Sequence, residues 1–385
     1  MNLPKSISYI GVNDHNIDLF EGQYDVPNGM AYNSYVVSGE KTAVMDTVDA
    51  HFGKMWLENL KKAVGTKTPD YLVVQHMEPD HSANIALFCS EYPNAKIVAT
   101  AAAFKMMQQF FGKDFSDRAV VITEGAALEL GGATLRFYLA PMVHWPEVAV
   151  TYYEEEQTLF SADGFGKFGA LDIDEEWACE ARRYYFGIVG KYGAQVQALL
   201  KKVNALKIAR ICPLHGPVLD SNLEYYLGLY NTWSSYMPEN RGVLVAYASV
   251  YGNTKKAAEE LCKELEDGGC EKVVLCDLCR CDMAEAVEDA FRYDRLALAS
   301  VTYNGELFPF MRNFLAELTE RGFKNRTVGI IENGSWAPTA AKHIKKAFEN
   351  SKNITVSDTV VTVKSALNDD SRAAVKQLAS ELLKA

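Results

Sequence analysis

Long apolar segments and an excess of basic charge are both missing from this chain of 385 residues. No segment approaches the roughly 18 apolar residues of a membrane-spanning helix, and the N-terminal residues 1–7 lack the apolar core of a signal peptide. The 39 Lys and Arg residues stand against 50 Asp and Glu residues, giving a net charge of −11. Because phosphate binding needs a basic face, nucleic acid is disfavoured as a partner. We expect a cytoplasmic protein with neither a membrane nor a nucleic acid as partner.

Cysteine is also sparse, with eight residues in the chain, most of them inside strand-like or helix-like patterns. This usage fits reduced thiols in a cytosol. The cluster of Cys276, Cys279 and Cys281 has no fourth Cys or His close by in sequence, as a metal site would need. We interpret it as the end of a strand and the loop that follows.

Histidine is present only seven times, yet four histidines belong to one set of nitrogen and oxygen donors near strand-like segments. The set comprises His76, Glu78, Asp80, His81, His144, Asp163 and His215. Residues 71–75 form an apolar, β-branched segment that predicts a buried strand ending just before the first four donors. Pro79 cannot continue a ladder, so we expect a tight loop there and a helix from Ser82 onward. Donors of this kind, without a thiolate, suit a pair of iron, zinc or manganese ions.

The second part of the chain alternates strands and helices in a different way. Turn-forming residues cluster at 237–242, which predicts domains at 1–239 and 240–385. Beyond this boundary, strands are predicted at 243–248, 272–276, 295–300, 327–332 and 355–361, with helices between them. This pattern indicates a doubly wound, five-stranded parallel sheet.

Three loops at strand ends of this second part predict a site for FMN. The loops comprise Ser249, Val250, Tyr251, Gly252, Asn253 and Thr254; Thr302, Tyr303, Asn304 and Gly305; and Asn333, Gly334, Ser335 and Trp336. Hydroxyl and amide groups at a helix start can bind a phosphate, although a simple helix cap is the alternative interpretation. The first loop contains neither G-x-G-x-x-G nor a Lys-Ser/Thr pair, which disfavours dinucleotides and ATP. Tyr303 and Trp336 offer flat faces for an isoalloxazine ring.

The segment His-x-Glu-x-Asp-His at 76–81 resembles the signature of the metallo-β-lactamase fold with its second His replaced by Glu. That replacement, with His144, Asp163 and His215 in order, resembles the flavodiiron proteins, and the flavodoxin-like second part extends the resemblance over essentially the whole chain. The resemblance implies an N-terminal αββα sandwich of the metallo-β-lactamase type and a C-terminal flavodoxin-like domain. It also implies a soluble oxidoreductase in which an external donor reduces FMN and then a non-haem di-iron site. Such an enzyme reduces dioxygen to water, nitric oxide to nitrous oxide, or both.

The resemblance further implies how the donors divide between two irons. One iron would be bound by His76, Glu78, Asp80 and His144, the other by His81 and His215, with Asp163 bridging the two. Glu78 by itself favours iron, because a carboxylate compensates the charge of a metal that cycles between +2 and +3, which zinc cannot do. Carboxylates also bind zinc, so a zinc metallohydrolase with an appended flavodoxin domain is the alternative, and a pure electron carrier is a third.

Further partners are expected from the same resemblance. No paired Cys-x-x-Cys motifs of a rubredoxin follow the flavodoxin-like part, so we expect a separate electron donor. Rubredoxin is the first candidate and a reduced deazaflavin coenzyme the second. A head-to-tail homodimer, or a dimer of dimers, would bring the flavin of one chain to the metals of the other.

Overall fold

The computed structural model describes all residues from Met1 to Ala385 and divides into two compact units. Unit 1 comprises Met1–Tyr185 and Ala194–Asn231, and unit 2 comprises Phe186–Gly193 and Thr232–Ala385. None of the helices combines the length and the apolarity that a bilayer crossing requires.

Unit 1 is built on two sheets and two small strand pairs. Its strands are β1 (Ile7–Tyr9), β2 (Val12–Asp14), β3 (Leu19–Phe20), β4 (Tyr24–Asp25), β5 (Met30–Tyr32), β6 (Tyr35–Ser38), β7 (Thr42–Met45), β8 (Tyr71–Val73), β9 (Lys96–Thr100), β10 (Ala119–Ile122), β11 (Ala127–Glu129), β12 (Thr134–Leu139), β13 (Ala149–Tyr153), β14 (Thr158–Phe160) and β15 (Arg210–Cys212). The helices up to residue 234 are α1 (Gly53–Val64), α2 (Pro79–Ser82), α3 (Ile85–Glu91), α4 (Ala101–Phe111), α5 (Trp177–Tyr184), α6 (Gly193–Val203) and α7 (Leu223–Ser234).

The two large sheets of unit 1 differ in strand direction. One sheet has the order β1-β6-β7-β8-β9-β10, antiparallel up to β7 and parallel from there on. The other has the order β11-β12-β13-β14-β15, antiparallel up to β14, with β15 parallel to β14. β2 pairs with β5 and β3 pairs with β4.

The sheets of unit 1 pack face to face around one apolar core. Val37, Met45 and Val98 of the first sheet lie in the same buried cluster as Phe137 and Phe160 of the second. Every residue of β7, β13 and β14 is buried, so both faces of these strands are covered. Helices α1 and α4 contact strands of the six-stranded sheet. Two central sheets with helices outside them are the layers of the expected metallo-β-lactamase-like sandwich.

Unit 2 contains one doubly wound sheet. Its strands are β16 (Asn240–Ala248), β17 (Val273–Asp277), β18 (Tyr293–Tyr303), β19 (Glu306–Leu307), β20 (Arg326–Asn333) and β21 (Ile354–Val363). Its helices are α8 (Asn253–Asp267), α9 (Met283–Arg292), α10 (Pro309–Glu320), α11 (Ala340–Ala347) and α12 (Asp369–Lys384). The order β17-β16-β18-β20-β21 is parallel throughout, and β19 pairs antiparallel with the end of β18. The order reverses between β16 and β18, where ligands bind in sheets of this kind.

Many elements agree with the sequence predictions. The five parallel strands of unit 2 are confirmed. Strands β1–β5 and β19 were not predicted, because two or three residues are too few for an alternating apolar pattern to be recognised. Helix α1 follows a 3-10 turn at Ala50–Phe52.

The buried Arg326 provides a stability test for unit 2. Its guanidinium donates to the carbonyl oxygens of Tyr293 at 2.6 Å, Tyr236 at 2.8 Å and Phe291, and the side chain is 2% exposed. Arg326→Met removes these donors, so we expect the free energy of unfolding to fall by about 2–4 kcal/mol. Arg241→Met, at a side chain that is 61% exposed, should change it by less than about 0.5 kcal/mol. Denaturant unfolding followed by circular dichroism measures both, and equal stabilities would contradict this role.

Candidate functional site

Strand direction brings the predicted donors to one edge of unit 1. β12 and β14 each pair antiparallel with β13, and β15 pairs parallel with β14, so these three strands run the same way. Their carboxyl ends are followed by His144, Asp163 and His215, while β8 of the other sheet ends just before His76. Met142 and Ala162, close to two of these donors, adopt positive φ values of 64° and 49°. Left-handed backbone at non-glycine residues is costly and collects at functional sites.

The segment around Pro79 corrects the sequence prediction. A loop was expected there, but helix α2 begins at Pro79, which occupies its first turn. Proline suits this position because its missing N–H would have no partner in the helix and its φ is already helical. The turn carries Asp80 and His81 into the same buried space as the other donors.

The first donor cluster contains His76, Glu78, His144 and Asp163, whose donor atoms all lie within 4.8 Å of one another. The Nε2 atoms of His76 and His144 lie 3.2 and 3.0 Å from Glu78 Oε2. The same two nitrogens lie 3.2 and 3.1 Å from Asp163 Oδ2 and 3.2 Å from each other. Two ligands about 2.1 Å from one ion and at right angles lie about 3.0 Å apart, so these spacings fit a shared metal.

The second cluster contains Asp80, His81 and His215. The Nε2 atoms of the two histidines are 3.0 Å apart and lie 3.3 and 3.2 Å from Asp80 Oδ2. The expected grouping of Asp80 with His76, Glu78 and His144 is therefore wrong in this structure. The cause is the helical turn at Pro79, which directs Asp80 and the adjacent His81 to the same side.

Asp163 lies between the two clusters. Its Oδ2 faces His76 and His144, while its Oδ1 lies 3.2 Å from His81 Nε2 and 3.7 Å from His215 Nε2. The side chain is completely buried. One carboxylate thus offers one oxygen to each cluster, as a bridging ligand would.

Residues outside the predicted set orient the imidazoles. His76 Nδ1 lies 2.9 Å from Glu147 Oε1, which also accepts from the Met77 amide at 2.8 Å. His215 Nδ1 lies 2.8 Å from the carbonyl oxygen of Ala31. A proton on each Nδ1 leaves Nε2 as the lone-pair donor that a metal requires.

The orienting roles of Glu147 and Ala31 were not predicted from the sequence. The only signal for Glu147 is its position three residues after His144, and Ala31 contributes a backbone atom that leaves no sequence signal. His81 differs from its neighbours, since its buried Nδ1 has no hydrogen-bond partner.

Burial and the neighbouring charges shift the acidities of this site. Burial raises the pKa of Asp80 to about 7, and the carboxylates of Glu78 and Asp163 add to that rise. Burial would lower the pKa of His76, but Asp163, Glu147 and Glu78 together hold it well above its usual value. The pKa values of such groups are expected to depend on one another where several carboxylates and imidazoles are buried together.

The donor set fits a pair of metal ions on two independent grounds. Both carboxylate oxygens of Asp80 and both of Asp163 are buried without a hydrogen-bond donor. Buried carboxylates without a partner are costly, and a cation is the partner that removes this cost. Imidazole nitrogens combined with carboxylate oxygens, and no thiolate, suit iron, manganese or zinc.

A separate cleft lies at the carboxyl ends of the strands of unit 2 and has a volume of about 570 Å³. All residues predicted for the flavin site line this cleft except Gly252, whose amide instead donates to Ser249 Oγ at 3.1 Å. Val301, Ala337 and Ser365 line it as well and were not predicted.

The phosphate end of the cleft is the start of α8. Gly252 precedes this helix with a φ of 89°, a left-handed conformation that favours glycine. Thr254 is buried in the first turn, and its hydroxyl accepts from Asn333 Nδ2 at 3.3 Å. No Lys or Arg lines the cleft, so an anion would be bound by hydroxyl groups and the helix N-terminus.

The ring end of the cleft is aromatic and open. Tyr251 and Trp336 are 94% and 92% exposed, and Tyr303 is 46% exposed. Large exposed aromatics beside a cleft are typical of surfaces that stack against a planar ligand. Glycine is required at position 334 because the backbone of Pro338 approaches it closely: an added Cβ would lie 2.9 Å from Pro338 Cα. The cleft therefore has the two parts that a flavin mononucleotide needs. Hydroxyl groups and a helix N-terminus, without Lys or Arg, can bind the phosphate, and aromatic side chains offer flat apolar faces to the ring.

Comparison with known proteins agrees with the folds of both units. The model of the ODP family beta lactamase matches residues 30–216, and that of a flavodoxin domain matches residues 244–368. The anaerobic nitric oxide reductase flavorubredoxin of Vibrio vulnificus is 27% identical over 357 residues, covering 89% of this chain and 72% of that protein. The nitric oxide reductase of Moorella thermoacetica is 28% identical over 357 residues, covering 90% of this chain and 88% of that protein.

Among solved structures, the rubredoxin oxygen:oxidoreductase of Desulfovibrio gigas matches with a TM-score of 0.93 at 25% identity. The match covers 100% of this chain and 98% of that chain. A metallo-β-lactamase-like unit and a flavodoxin-like unit thus follow one another in the same order in both. With its fold, its two matched domains and its relatives all in agreement, this chain belongs to the flavodiiron protein family.

Proposed function

We propose that this protein reduces nitric oxide to nitrous oxide, dioxygen to water, or both, with electrons that pass through FMN to a non-haem di-iron site. The observation that carries the proposal is the arrangement of Asp163, one carboxylate facing two clusters of imidazole and carboxylate donors. The names of the relatives, two nitric oxide reductases and an oxygen:oxidoreductase, support the same chemistry.

In the proposed site each of the two clusters would bind one iron. His76, Glu78 and His144 would bind the first, Asp80, His81 and His215 the second, and Asp163 both. When bound, FMN and the two irons together supply up to four electrons, enough for either gas. The chain's own contribution is to fix the donors: Glu147 and Ala31 hold the imidazoles of His76 and His215 with Nε2 toward the metals.

The proposed FMN site uses the cleft of unit 2. Thr254 and the start of α8 would bind the phosphate, and Trp336, Tyr303 and Tyr251 would contact the ring. We propose domains at 1–239 and 240–385, a cytoplasmic location, and an external donor that reduces the flavin. Rubredoxin remains the first candidate because two of the three named relatives carry rubredoxin in their names, and a reduced deazaflavin coenzyme remains the second.

Gas consumption by the reduced, iron-loaded and FMN-loaded protein tests the proposal directly. With one reduced donor, we expect consumption of nitric oxide, dioxygen or both. His144→Ala should lower bound iron and abolish this turnover while FMN stays bound, because His144 lies in unit 1 and the cleft in unit 2. His51→Ala, at an exposed histidine of the same unit, is the control. Full activity of His144→Ala, or two bound zinc ions with ester or lactam hydrolysis, would refute the assignment.

Glu147 should influence metal affinity without touching the metal. Glu147→Ala removes the acceptor for His76 Nδ1, so we expect about 10–100-fold weaker binding of Fe²⁺ to the metal-stripped protein. Glu147→Gln keeps an acceptor oxygen and should lose less. Chelator competition measures the affinity, with the exposed Glu129→Ala as control. Wild-type affinity in Glu147→Ala would show that His76 needs no orienting partner.

Thr254 should contribute to FMN retention through its hydroxyl. Thr254→Val keeps the side-chain shape but removes a donor to the phosphate, which is worth about 1.5–3 kcal/mol for a charged acceptor. The Kd for FMN should then rise roughly ten- to a hundredfold. Fluorescence titration of the flavin-free protein measures it, and Thr319→Val in α10 is the matched control. An unchanged Kd would mean that the loop is only a helix cap.

Assembly into a head-to-tail homodimer, or a dimer of dimers, is the last part of the proposal. Twofold pairing is the commonest closed assembly, and it would let the flavin of one chain serve the metals of its partner. Mixing His144→Ala, which lacks metal, with a variant changed at Ser249 and Thr254, which lacks flavin, should restore activity as subunits exchange. No recovery in proven mixed dimers would reject transfer between chains.

A further inference from the structure

Two of the three clustered cysteines of unit 2 are in direct contact. Cys276 is the penultimate residue of β17, and Cys281 lies two residues before α9. The thiol of Cys276 donates to the sulfur of Cys281 with an Sγ–Sγ separation of 3.1 Å, and both side chains are partly exposed. The turn between them thus folds back so that two sulfurs five residues apart meet within reach of solvent.

Cys279 lies between them in sequence but not in space. Burial raises the pKa of its thiol, and the backbone of Ser249 opposes that rise. No third Cys, His, Asp or Glu donor joins Cys276 and Cys281 at metal-binding distance. The pair therefore offers thiol chemistry and not a metal site.

The hydrogen bond makes the two thiols unequal. Donation from Cys276 lowers the pKa of Cys281, and the same bond, with burial, raises the pKa of Cys276. Cys281 is consequently the sulfur that more readily becomes a thiolate, which is the nucleophile in thiol–disulfide exchange.

We propose that Cys276 and Cys281 are a reversible redox pair that closes to a disulfide on reaction with a small disulfide such as oxidised glutathione. The Cys281 thiolate attacks one sulfur of the small disulfide, forming a mixed disulfide and releasing one thiolate. Cys276 then loses its proton to solvent and attacks the Cys281 sulfur, releasing the second thiolate. In sum, two protein thiols are oxidised, one small disulfide is reduced to two thiols, and an excess of small thiol reverses the reaction.

The pair is connected to the loop at the start of α8. β17 is parallel to β16, with Tyr247 opposite Asp277, and the Leu278 amide donates to the Tyr247 carbonyl at 2.9 Å. For the next residue, Cys279, burial raises the thiol pKa and the backbone of Ser249 lowers it, and Ser249 lines the cleft. A disulfide bond is about 2.05 Å long, so closure draws the sulfurs together by roughly 1 Å, and the proposal includes a shift of this turn that reaches Ser249. If the cleft binds FMN as proposed, closure should weaken FMN binding by about two- to tenfold, the effect of losing one hydrogen bond.

Thiol mapping of the full-length protein tests the pair. After treatment with oxidised glutathione, acid quenching, alkylation and peptide mass analysis, we expect the eight free thiols to fall to six, with a single link between Cys276 and Cys281. Cys276→Ser should instead accumulate glutathione on Cys281. In Cys281→Ser, the rate at which Cys276 reacts with oxidised glutathione should fall by about tenfold or more, since the thiolate is lost. Cys279→Ser is the matched control and should form the link as the wild type does.

Each result that contradicts the proposal identifies the part of it that is wrong. Eight thiols after oxidation, or a link that includes Cys279, would overturn the pair. A closed pair with an unchanged Kd for FMN would overturn its connection to the cleft. Failure of the reduced protein to bind FMN at all would refute the proposed flavin site and leave the disulfide result standing, so the two failures are distinguishable.

Discussion

A fully buried carboxylate without a hydrogen-bond donor is the constraint on which unit 1 depends. Asp163 is completely enclosed, and neither of its oxygens has a donor in the protein. Such a group is tolerated only when positive charge is close. The strands of the second sheet and the turn at Pro79 both carry histidines toward this side chain, so that imidazoles face it on two sides. A pair of cations between these groups would satisfy all of them together.

The sequence predicted more of this site than of its surroundings. The donors in 76–81, together with the strand-like segments before His144 and Asp163, indicated which side chains belong to the metal site. The assignment of Asp80 to one of the two clusters was predicted incorrectly. The side to which Asp80 turns is decided by one helical turn, whose proline was interpreted as a loop former. Glu147 and the Ala31 carbonyl were not predicted as partners of the histidines, because their roles depend on distances across the fold, which sequence spacing does not contain.

Unit 2 was more predictable because its pattern repeats. Five apolar strands with helices between them admit few topologies, and the right-handed crossover rule reduces these further. The loop residues of the cleft follow directly, since the carboxyl ends of parallel strands meet at one edge. What the sequence did not reveal is the contact between Cys276 and Cys281, which depends on how the turn after β17 folds back beside Tyr247.

Anomalous X-ray scattering at the iron edge, from crystals of the iron-loaded protein, tests the central claim most directly. We expect two iron peaks about 3.5–4 Å apart, the separation of two-metal sites. One should lie among His76, Glu78 and His144, the other among Asp80, His81 and His215, with Asp163 between them. A single peak, or peaks away from Asp163, would contradict a di-iron site bridged by this carboxylate.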